Sequence, residues 1–158
     1  MQYFADSRGT DTFMEIGSWL QSVMDTAEPR LRAIPDDQAS AARRAEAWSR
    51  KQILGHLIDS ATNNHQRFIR AQGAAVLRLP GYAQDDWVSY QHYGERSWTD
   101  LIDFWCSYNR HLSHVIARIP ESHRGVPCEI GESSAVTLSY VALDYVGHVE
   151  HHLSQIFA

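Results

Sequence analysis

The stretch SRKQILGHLIDSATNNHQRFIRAQG, residues 49–73, decides how this chain is read. Ser49 follows Trp48 and is a natural helix N-cap, since its hydroxyl can accept a hydrogen bond from a free first-turn amide. Gly73 suits the C′ position, where the backbone often turns left-handed. Between them Ile53, Leu57, Ser60, Asn64 and Phe68 recur at spacings of three and four and share one side of a helix. His56, Asp59, Asn63 and Arg67 fall on the adjacent side. The spacing predicts a helix over 49–72.

Three more segments carry the same period. Over 11–26, Phe13, Ile16, Leu20, Val23 and Met24 form a stripe that Asp11 or Thr12 caps and Pro29 stops. Over 97–119, capped by Ser97, the stripe is Leu101, Phe104, Trp105, Tyr108, Leu112 and Ile116, with Pro120 at its end. The last helix runs over 138–157 behind Thr137. Residues 27–47 read as a loop holding a short helical turn. Residues 73–96 form a connection long enough to be functional or packed as a cover. ESHRGVPCEIGESSAV, residues 121–136, reads as a loop or short hairpin. Four amphipathic helices with almost no strand signal make one all-α domain over 1–158, a four-helix bundle. Two long connections leave a simple up-down-up-down order unsecured.

A chain of 158 residues suits one domain with a substantial core. With 44% hydrophobic and 21% charged residues it reads as an ordinary soluble protein. A formal charge of −5, a single lysine (Lys51) and no basic stripe argue against nucleic acid. No apolar run approaches a membrane span. MQYFADSRGTDTFMEIG lacks the basic start and apolar stretch of a signal peptide, so the cytoplasm is the expected location. Cys106 reads as a buried free thiol, and Cys106 and Cys128 lack C-x-x-C spacing.

The last helix contains GHVEHHLSQI, with His148, His151 and His152. At about 100° per residue, His148 and His152 differ by about 40° and stand one turn apart on one face. His151 lies about 60° from His148 on the other side, which puts it at the rim or in solvent. Two imidazoles hold a transition metal weakly, so a third ligand should come from another helix. His56, among Leu54, Leu57 and Ile58, is the candidate. Gly55 beside it lets another backbone or a ligand come close. Asp59, three residues on, is placed to accept the second imidazole N–H or to bind substrate. Spacing alone leaves two other readings open: a solvated i, i+4 pair, and a core histidine bonded to a carbonyl. His111 and His114 are expected on an exposed side, and His65, His92 and His123 at the surface or in loops. Three histidines with open positions describe a catalytic-type metal site, and zinc and nickel both tolerate that ligation.

WSRKQILGHLIDSATNNHQRFIRA resembles the second-helix signature of the DinB-like superfamily, the DinB/YfiT-like metalloenzymes. There a Trp-Ser start leads to an Ile-Leu-x-His-Leu-x-Asp-Ser core. DYVGHVEHHLSQI resembles the family's fourth-helix His-x-x-His-His-x-x-x-Ile pattern, and LPGYAQDDWVSYQHYGERSW its loop before the third helix. The resemblance runs from about residue 11 to 157. It implies a four-helix bundle, often down-up-up-down and often a homodimer. It also implies a divalent metal, nickel or zinc, on three histidines, which fall here on His56, His148 and His152. Some members resemble thiol-dependent transferases that activate a low-molecular-weight thiol on the metal; others resemble isomerases or hydrolases. The expected function is therefore thiol-dependent S-transferase-type chemistry on a small molecule. A metal-dependent hydrolase and a non-catalytic metal-binding dimerisation bundle are the alternatives. Asp59, Asn63, Asp86, Trp87 and Tyr145 are the residues expected around the substrate, though each also fits an ordinary polar or packing position.

Overall fold

Each long helix begins on a side-chain cap. In the computed structural model, which describes residues 3–42, 44 and 47–158, Thr12, Ser49, Ser97 and Thr137 accept hydrogen bonds from the amides of Glu15, Gln52, Asp100 and Tyr140. Thr12 with Glu15 and Ser49 with Gln52 complete capping boxes. In chain order the helices are Phe13–Arg32 (α1), Asp36–Ser40 (α2), Arg50–Ala71 (α3), Gln84–Tyr90 (α4), Trp98–Ile116 (α5) and Leu138–Phe157 (α6). Residues 43, 45 and 46 of the Ala/Arg-rich stretch lie outside the described residues.

Pro29 does not stop the first helix. It lacks only the amide that would bond Asp25, whose residue is exposed, while Ala27 and Leu31 carry the buried stripe of Leu20 and Met24 onward. The Leu31 carbonyl also accepts the Trp98 indole N–H at 2.9 Å. This packing offsets the proline penalty of about 3 kcal/mol.

The two long connections meet in a small sheet. Leu77–Leu79 (β1) pairs parallel with Pro127–Ile130 (β2), which pairs antiparallel with Val136–Thr137 (β3). The hairpin lies in the 121–136 segment. The parallel partner went unseen because three residues, LRL, are too few to show an alternation.

α1 packs against α5 and α6, and α3 packs against the same two, so α1 and α3 are diagonal. Contacts along the helices fix their directions. Arg32 at the end of α1 meets Asp103 near the start of α5, so those two are antiparallel. Arg50 at the start of α3 donates to the Ile156 carbonyl at the end of α6, and Phe68 meets Tyr145, again antiparallel. Lys51 and Trp98, at the starts of α3 and α5, both bond Asp36, and further along His65 meets Tyr108, so α3 and α5 are parallel. Trp19 with Glu150 and Arg30 with Phe157 make α1 and α6 parallel. The order is down-up-up-down. Phe13, Leu57, Phe68, Trp105 and Tyr145 fill the centre. Among the described residues no helix is long and apolar enough to cross a membrane.

The 73–96 connection folds back onto α3. Gly55 makes that possible: a Cβ there would lie 2.1 Å from Cδ2 of Tyr93. With glycine, the Tyr93 ring lies flat on the helix and its hydroxyl donates to Asp59 at 2.7 Å. Alanine at position 55 would gain about 1 kcal/mol in helix propensity. Overpacking costs about 1–3 kcal/mol, and a displaced Tyr93 would take a bond from a buried carboxyl. Gly55→Ala is therefore expected to lower the melting temperature by several degrees, at roughly 2–4 °C per kcal/mol for a chain of this size. Thermal unfolding of the variant checks this, and a higher melting temperature would remove the steric argument.

Candidate metal centre

Because α3 and α6 run antiparallel, their polar sides face each other in register. His56 from α3 meets His148 and His152 from α6, one nitrogen from each lying within 4.8 Å of the others. The ring centroids are 5.1 Å (His56–His148), 4.7 Å (His56–His152) and 4.5 Å (His148–His152) apart. Nε2 of His56 is 3.2 Å from Nε2 of His148. Two nitrogens bound tetrahedrally at about 2.0–2.1 Å from one zinc ion would be about 3.3 Å apart. The donor set fits a shared divalent ion.

The remaining ring nitrogens orient two of these side chains. His152 Nδ1 lies 2.9 Å from Gln155 Oε1, an acceptor, so Nδ1 carries the proton and Nε2 is left for ligation. His148 Nδ1 lies 3.4 Å from the Ser60 hydroxyl. Burial pushes His148 down to about 3, helped by the neighbouring histidines. Burial with the nearby His152 pushes His56 down to about 4, and burial lowers His152 as well. All three are thus neutral at pH 7, the form that binds metal. Trp48 packs its ring 5.2 Å from His56 on one side of the cluster.

Asp59 does not take the second N–H of His56. Its Oδ1 accepts from Tyr93 and from Gln91, while His56 Nδ1 and Asp59 Oδ2 are buried without a partner among the described residues. Desolvation raises the Asp59 carboxyl above the usual range. The side chain ties the long connection to α3. His151 is exposed, as its helical position requires, and touches Gln155 and Tyr3.

A cavity of about 380 Å³ adjoins the cluster between α3 and α6, and His148 opens into it. Of the other residues expected around a substrate, Tyr145 lines this cavity, although its hydroxyl turns away to donate to Asn109. Asn63 does not line it: its amide bonds the Asp59 carbonyl one turn back, and the neighbouring Asn64 takes the cavity position. Trp87 stands behind the wall, its ring 5.0 Å from Tyr82, which does line the cavity. Asp86 is exposed on the first turn of α4.

Arg67 and Tyr3 are among the lining residues that sequence did not single out for the pocket. Arg67 sits on the same side of α3 as His56, and that shared face was its only signal. Tyr3 comes from the N-terminal segment, which crosses α6 over Gly147, where a Cβ would lie 2.2 Å from the Tyr3 carbonyl oxygen. Its amide donates to Asp144 at 3.0 Å and its ring stands edge-on to His148 at 5.2 Å. A glycine beside His148 in the middle of a helix was the only trace of that crossing.

Comparison with known proteins agrees with this architecture. A relative from Oceanobacillus iheyensis, provisionally named a metal-dependent hydrolase, is 24% identical over 94% of this chain and 87% of its own length. A second from Bacillus mycoides, named in the same way, is 29% identical over 51% of this chain and 48% of its own. The solved structure of YfiT from Bacillus subtilis, described as a probable metal-dependent hydrolase with an unusual four-helix bundle topology, superposes with a TM-score of 0.78. It shares 18% identity and the match covers 90% of this chain and 84% of that one. The family model of the DinB superfamily matches residues 20–156, which takes in the three histidines and the cavity lining apart from Tyr3; this chain belongs to the DinB superfamily.

Proposed function

We propose that this chain is a metal-dependent enzyme of the hydrolase type, with His56, His148 and His152 holding one divalent ion and a small-molecule substrate occupying the adjoining cavity. One observation carries the reading: three neutral imidazoles from two helices converge in a partly buried site at ligand spacing, with no carboxylate among them. The relatives' names point the same way. Zinc and nickel both suit three nitrogens and an open position. A divalent ion there supplies Lewis acidity, lowering the pKa of a nucleophile and polarising a carbonyl.

The chain's own residues do the rest. Gln155 and Ser60 orient His152 and His148. Trp48 limits water on the His56 side. Burial pushes Cys106 up to about 12 and raises Cys128, which disfavours the reactive thiolate in both. A nucleophile from outside accords with this, and water suits a hydrolase. The same observation favours a second reading, S-transfer from a low-molecular-weight thiol bound in place of water.

Tag-free protein is expected to retain about one transition-metal ion per chain, and His152→Ala to lose most of it, measured by elemental analysis. Added zinc at a hundred times its Kd should stabilise wild type by about 2.7 kcal/mol and leave the variant nearly unmoved. Full retention by His152→Ala, or no metal in either protein, would end the three-histidine reading. Ester and amide hydrolysis assayed against thiol addition to an electrophile separates the two chemistries.

The metal-free protein has a pH signature. In the folded protein His56 and His148 titrate below the ordinary histidine value of 6.5. Below that pH the unfolded chain therefore binds more protons, and stability falls as pH drops. The loss should start near 6.5 and run towards 4 for His56 and 3 for His148. Denaturant titrations between pH 8 and 4 should show this slope flattened in His56→Gln. An equal slope in both proteins would mean that His56 is not buried as a neutral ring.

A further inference from the structure

Arg67 is left without a function by the metal centre. Its guanidinium is partly buried on α3 and lines the cavity. Among the described residues its hydrogen bond is from Nη1 to Asn64 Oδ1, at 3.1 Å. None of the ion pairs among those residues includes it. Other surface arginines, such as Arg32, Arg78 and Arg110, pair with acids. A guanidinium offers five donors and a permanent charge, and burying it without a direct ion pair costs stability, although Asp144 attracts it across the cavity. Burial accordingly lowers its pKa.

The position is as telling as the missing partner. Ser60, Asn64 and Arg67 follow His56 at spacings of four, four and three, so they climb one face of α3. Ser60 is level with His148, and the Arg67 side chain leans back to Asn64. The guanidinium thus sits about one helical turn, roughly 5 Å, beyond the histidine level. Among the described residues Arg67 is the one lysine or arginine in the cavity lining, and Asp144 the one carboxylate. One cation faced by one acid suits a monoanion better than a phosphate dianion, and its planar fork matches a carboxylate.

We propose that the cavity binds a small carboxylate-bearing molecule, with Arg67 anchoring the carboxylate and a reactive group a few bonds away presented to the histidine cluster. The class includes acylated amino acids and short esters or thiols that end in a carboxylate. The anchor stands on Arg67 alone; only the orientation of the ligand rests on the metal reading.

The test uses two matched pairs of probes. Into metal-loaded protein, 3-mercaptopropionate and 3-mercaptopropionamide are titrated by calorimetry. Propionate and propionamide are titrated into metal-free protein by amide chemical shifts. Wild type should bind each carboxylate at least about tenfold tighter than its amide. Arg67→Gln should bring each pair within about twofold, with metal content unchanged. Should Arg67→Gln fail to fold, Arg67→Met keeps the buried stem and gives the same reading. Equal affinities in wild type, or a preference that survives both substitutions, would overturn the proposal. A carboxylate preference in wild-type protein that takes up no metal when loading is attempted would end the metal reading and leave this one standing.

Discussion

The structure depends on placing three imidazoles between two antiparallel helices. Charged histidines cannot share that space, because each would lose solvent and repel the others. The cluster is stable only with neutral rings, and the Nε2 atoms of His56 and His148, 3.2 Å apart, stand at the spacing of two ligands to one electrophile. This condition fixes the register of α3 on α6. The pairing of Arg50 with Ile156 at one end and of Phe68 with Tyr145 at the other sets it. A slip of one residue would turn His148 by about 100° out of the interface.

Around this point the molecule is asymmetric. On one flank Trp48 packs against His56, and Tyr93 of the 73–96 connection covers Asp59. On the other, Ser60, Asn64 and Arg67 face Asp144 and Tyr145 across an open space. A few polar groups fixed by the scaffold beside the histidines are what a small-molecule site needs. The small sheet contributes Cys128, Ile130 and Val136 to the cavity wall, which gives the two long connections a role in forming the site.

Much of this was legible in the sequence, because the strongest signals were local. Serine and threonine caps set the helix starts, and the i, i+4 histidine pair needs only helical geometry to share a face. Gly55 read correctly as a place of close approach, although the approaching group proved to be the Tyr93 ring rather than backbone or ligand. Errors arose where tertiary packing outweighed a local rule. Pro29 reads as a stop, but Leu31 and Trp98 hold the helix through it. Asn63 and Asn64 are adjacent and chemically identical, and only the rotation of α3 against α6 chooses between them. β1, α4 and the crossing of Tyr3 depend on partners 50 or more residues away, or on packing, and have no local signature.

The central claim is that nitrogen atoms of His56, His148 and His152 bind one ion. X-ray absorption at the metal edge of tag-free protein tests it most directly. The expected spectrum has a first shell of nitrogen and oxygen at about 2.0–2.1 Å for zinc, with the outer-shell scattering of three imidazoles. A sulfur shell at about 2.3 Å, or a spectrum with fewer than three imidazoles, would contradict it.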